Sequence, residues 1–66
     1  MNKLLVAALS HYQAQKDEAL ATLDIYLNNP VGIGEHSNIL KEVLDWTEKL
    51  TEAEENIETL KKHFSP

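Results

Sequence analysis

Few residues in this chain have the chemistry of a site, and their spacing decides what each can do. His11, His36 and His63 supply three imidazoles for a metal. No two of them stand at the i, i+4 separation that puts a ligand pair on one helix face. The residue three before His63 is Leu60, so the Glu-x-x-His pattern of di-iron bundles is missing too. Ser10 and His11 set a hydroxyl next to a base, but neighbours on a helix point about 100° apart and do not meet as nucleophile and base. Glu52, Glu54, Glu55 and Glu58 offer clustered carboxylates. A general acid needs burial to raise its pKa, and these positions face away from the apolar seam of their helix. The expectation is a protein with no catalytic residue, no cofactor and no metal.

The remaining candidate is the stretch Asn28 to Ser37, "NNPVGIGEHS", which holds both glycines and one of the two prolines. A glycine-containing loop opening onto a helix N-terminus can hold an anion. Here "GIG" is not GxGxxG, no GK[ST] follows, no strand pattern precedes it, and the nearest charge is Glu35. A connector explains more of its residues. Pro30 disfavours helical angles at Asn29, Gly32 and Gly34 allow a reversal, and Ser37 or Asn38 can cap the next helix with Glu35 near its positive end. At ten residues it is longer than most connections between packed helices. Val31, Ile33 and His36 are therefore kept as candidate contacts for a protein partner.

The elements that must position these residues are two long helices. Neither Gly nor Pro occurs from residue 3 to residue 27, and Leu5, Leu9, Tyr12, Ala19, Leu23 and Tyr26 recur at alternating steps of four and three, with Lys16 filling one place in the register. Val6, Leu20 and Leu27 form a row beside that seam. In the second half Ile39, Val43, Trp46, Leu50, Ala53, Ile57, Leu60 and Phe64 keep the same spacing without a break, and Leu40 and Leu44 widen the face. Thr51-Glu52-Ala53-Glu54 matches a capping box, but the periodicity runs through it unchanged, so it reads as helix interior. Asp45 to Lys49 and Glu58 to Lys62 are spaced for ion pairs on the outer surface. A lysine at a seam position sets register or marks where the seam turns to water.

The spacing predicts an all-α protein: an antiparallel two-helix hairpin with one helix over about 3–28, a loop over 29–37 and a second helix over about 38–64. Sixty-six residues bury little surface on their own, and the lack of cysteine removes disulfides as a staple. Assembly into a four-helix bundle or coiled-coil dimer is the expected remedy. Leu20, Leu27, Leu40, Leu44 and Trp46 are the candidate self-association residues.

Charge narrows the choice of other partners. Six lysines, no arginine and eleven acidic residues give a net charge of -5, which disfavours binding along a phosphate backbone. The apolar run Leu4 to Leu9 is too short for a signal sequence or a membrane span, so the expectation is a soluble cytoplasmic protein with no membrane partner.

The run "YLNNPVGIGEHSNILKEV", followed by "EAEENIETLKKHF", resembles small uncharacterised proteins of T-even-type tailed phages and their marine relatives, in which an NNPVGIGEH core lies between two helices. The resemblance covers residues 23–64. It implies a phage accessory protein in the host cytoplasm and brings no catalytic or binding residues with it. The function expected is therefore non-enzymatic, by contact with a host or phage protein through the acidic band Glu52, Glu54, Glu55 and Glu58 or through the loop. The alternatives are a nucleic-acid-binding bundle dimer of the plasmid copy-control kind, an acidic mimic of nucleic acid, and a structural component of a virion or scaffold.

Overall fold

The computed structural model describes residues 2–28 and 38–65. Two helices account for nearly all of them, α1 over Lys3–Asn28 and α2 over Ile39–Phe64. The predicted loop 29–37, with Val31, Ile33 and His36, lies outside the described residues. Each helix of 26 residues is about 39 Å long at 1.5 Å per residue. The molecule measures 47 × 16 × 16 Å, so the two lie side by side. The residues between them would have to be fully extended to return along a whole helix, which makes the pair an antiparallel hairpin.

Local chemistry explains the helix ends. Asn38 caps α2, its side-chain oxygen accepting from the Lys41 N–H at 3.0 Å. At the start of α1, Asn2 does the same work, its oxygen accepting from the N–H groups of Leu4 at 2.7 Å and Leu5 at 3.2 Å. Each satisfies donors that have no partner within the helix. Near the end of α1, Asn28 donates to the Asp24 carboxylate at 2.7 Å. Lys61, Lys62 and His63 fall in the last turn of α2, where positive charge suits the helix dipole. Helix α2 runs unbroken through Thr51, as the unchanged periodicity predicts.

The seam between the helices is thin. Ala19 and Ala53 are fully buried and Leu23 is 8% exposed; among the described residues no other hydrophobic side chain is buried. Leu5, Leu9, Tyr12, Tyr26, Val43, Trp46, Leu50, Ile57 and Leu60 follow the predicted register but stay half-exposed. A single seam between two helices has water on both sides, so only the smallest side chains at the closest approach disappear from it.

Candidate functional site

The two flanks of the seam are built differently. On one side Ala8, Gln15 and Thr22 of α1 face Glu42, Lys49 and Asn56 of α2, and all but Lys49 are half-buried. This flank is sealed. Gln15 Nε2 donates to the Lys49 carbonyl at 3.1 Å, and the Lys49 ammonium sits 4.0 Å from the centroid of the Trp46 ring, a cation over an aromatic face. Trp46 is thus half-buried in the hairpin's own seam and covered from its own helix. Asp45, spaced for Lys49, instead accepts from Lys41 Nζ at 2.7 Å. The indole competes for Lys49, and Lys41 is one turn away on the exposed side.

On the other flank no described residue closes the seam. The row Val6, Gln13, Leu20 and Leu27, seven residues apart along α1, and the row Leu40, Thr47, Glu54 and Lys61 along α2 are all exposed. Exposure is 46% at Leu20, 62% at Leu27, 68% at Leu40 and 56% at Leu44. The sequence puts these leucines at the edge of the apolar face, and the hairpin leaves them in water. Small side chains account for the difference. Ala19 and Ala53 are fully buried between the helices, and Ala8 and Thr22 let the flank they line pack against α2. The bulkier row turns outward.

No family model, curated protein or solved structure matches this chain. The surface therefore has to be read from its own chemistry.

Farther from the connection, the open flank changes character. A shallow groove there is lined by Gln13, Lys16, Glu54, Ile57, Glu58, Lys61 and Lys62. Lys16 holds its seam position by running its stem along the groove and ending 3.8 Å from the Glu54 carboxylate. The sequence sets it level with Leu50; its charged head reaches one turn further. Both partners are partly exposed, so the pair adds little stability. Glu52, Glu54, Glu55 and Glu58 are all exposed, and their spacing winds them from the edge of the open flank round the outside of α2. Glu54 is the member that Lys16 partly neutralises.

The other chemistry-bearing residues are not brought together. His11 is exposed and meets Tyr12 edge-on, with ring centroids 5.2 Å apart, and His63 lies 6.2 Å from the Phe64 ring. Among the described residues no three His, Asp or Glu side chains gather where a metal could sit, and no helix is long and apolar enough to cross a membrane. Among the described residues the one clear titration shift is at Lys41, whose pKa rises above 10.5 because Asp45 accepts its hydrogen bond and stabilises its charge. It lies on the outer surface, away from both flanks. Asn2 is the residue that the sequence reading passed over. An Asn directly before the first helical residue, here Lys3, is a cap signal.

Proposed function

We propose that this chain is a non-enzymatic, self-associating helical protein that acts by binding other proteins, in the manner of a phage accessory factor. The observation that carries the reading is the open flank: Leu20, Leu27, Leu40 and Leu44 are each about half or more exposed and lie at one end of one side. Contiguous apolar surface of this kind marks a contact site on a monomeric protein of ordinary size. This hairpin hides no side chain larger than alanine completely among its described residues, so the case is stronger. Covering the flank with a second copy stabilises the fold and leaves Glu52 and Glu55 of the acidic band facing outward for a host or phage protein. The NNPVGIGEH resemblance supports the accessory role, and the net charge of -5 supports a protein partner over a nucleic acid.

The test is the solution mass at micromolar concentration, by light scattering after size exclusion. A mass of two or more chains is expected. A folded monomer overturns self-association and turns the search to a foreign helix seated on the leucines.

A further inference from the structure

We infer that two copies pair about a two-fold axis parallel to the helices, with both connections at the same end, so that each open flank faces the other leucine to leucine. The inference rests on the self-association proposed above and adds the partner's orientation.

The occupant of the open flank is required whenever the chain is folded. The sequence has no cysteine for a disulfide, and among the described residues there is no metal cluster and only two alanines are fully buried. A transient partner cannot meet a permanent need; a second copy is always present in equal amount. The area is sufficient. At the exposures of the four leucines, each copy shows on the order of 400 Å² of apolar surface, and two facing copies bury on the order of 800 Å², the apolar share of a small stable interface of about 1,200 Å².

Orientation follows from the register. Gln15 beside Lys49 and Lys16 beside Glu54 put Leu27 level with Leu40, Leu20 with Thr47, Gln13 with Glu54 and Val6 with Lys61. With both copies pointing the same way, each level meets itself. The top layer is four leucines, and lower down Gln13 of one copy comes level with Glu54 of the other, an amide donor against a carboxylate. Lys16 and Lys61 beside Glu54 keep the lower end from gathering unbalanced charge.

With the copies reversed, Leu27 still meets an apolar residue, Val6, but Leu20 falls on Gln13 of the second copy and Leu40 on Lys61, which strips water from polar groups against leucine and breaks up the leucine layer. An offset that overlaps only the leucine ends covers those leucines but leaves Val6 and the lower seam as wet as before. The same-direction pairing covers the flank along its whole length and keeps leucine against leucine, and a two-fold contact of this kind closes at two chains.

The experiment attaches spin labels at Lys3→Cys, at the end far from the connection, and in a separate variant at Ala21→Cys, on the outside of α1 near the connection. Both positions are exposed, and the chain has no other cysteine. Dipolar distances between copies and the solution mass are measured on the same samples. Same-direction pairing predicts a mass of two chains and distances of about 20–30 Å for both variants, set by helix diameters and spacings. A mass of two chains with Lys3 labels about 40 Å or more apart overturns the orientation and leaves self-association standing. A folded monomer, shown by helical circular dichroism, overturns both.

Discussion

The two flanks of one seam teach different things about the same pair of helices. The sealed flank is finished by its own chain, with an amide reaching across to a carbonyl, an ammonium resting on an indole, and small side chains between them. The open flank repeats the same seven-residue spacing with larger apolar residues and is left unfinished. Heptad spacing alone does not distinguish them. What separates them is side-chain volume: Ala19 and Ala53 are fully buried in the seam, and the flank with the smaller residues Ala8 and Thr22 is the one that closes.

The contrast is broken most strongly on the open side. Replacing Leu27 and Leu40 together by Glu puts like charges where the leucine layer is proposed, and is expected to weaken self-association at least 1,000-fold, about 4 kcal/mol. Analytical ultracentrifugation across a concentration series reads it directly, and an unchanged association constant would remove the open flank from the interface. Next in size is the waist. Ala53→Leu forces a large side chain between helices that fit only a methyl, and is expected to cost about 2–3 kcal/mol in urea denaturation. By driving the helices apart it also strains the Gln15 to Lys49 bond of the sealed flank, whereas Leu44→Ala, outside the seam, leaves that bond alone.

On the sealed flank the expected effects are smaller. Gln15→Ala removes one exposed cross-helix hydrogen bond and is expected to lower stability by about 1 kcal/mol or less, with no change of mass. A change of mass would mean that both flanks take part in assembly. The smallest effect belongs to the outer surface. The Lys41 pKa is raised in the folded protein, so its pair with Asp45 contributes at pH below 10.5 and is lost as pH climbs through the higher folded value. Lys41→Met should slightly flatten the alkaline fall of the urea midpoint above pH 10.5 and leave neutral pH almost untouched, because the pair is exposed.

Much of the fold was legible in the residue order because it rests on periodicity. The 4-3 spacing from Leu5 to Tyr26 and from Ile39 to Phe64 specifies two helices and, apart from the exposed ends Ile39 and Phe64, the face each turns to the other; Ser37 or Asn38 marks where the second begins, and Asn38 is the cap. The open flank was legible as the edge of the apolar face, where Leu20, Leu27, Leu40 and Leu44 are the candidate self-association residues; that the opposite flank closes was not, because Ala8, Gln15 and Thr22 look like surface by their types. The partner of Asp45 was hidden for a similar reason. Two lysines stand four residues from it, and the choice between them depends on where the Trp46 ring lies.

The thinness of the seam also governs how the protein responds to temperature. Unfolding raises heat capacity in proportion to the apolar surface it exposes, about 12–15 cal/mol/K per residue in ordinary domains. A hairpin that fully buries only two alanines among its described residues falls below that range. Its stability curve as a single chain is shallow, and its melting is broad and nearly flat across physiological temperatures. Covering the leucines restores curvature, so calorimetry of a dilution series is expected to show transitions that sharpen and move upward as the chain becomes more concentrated.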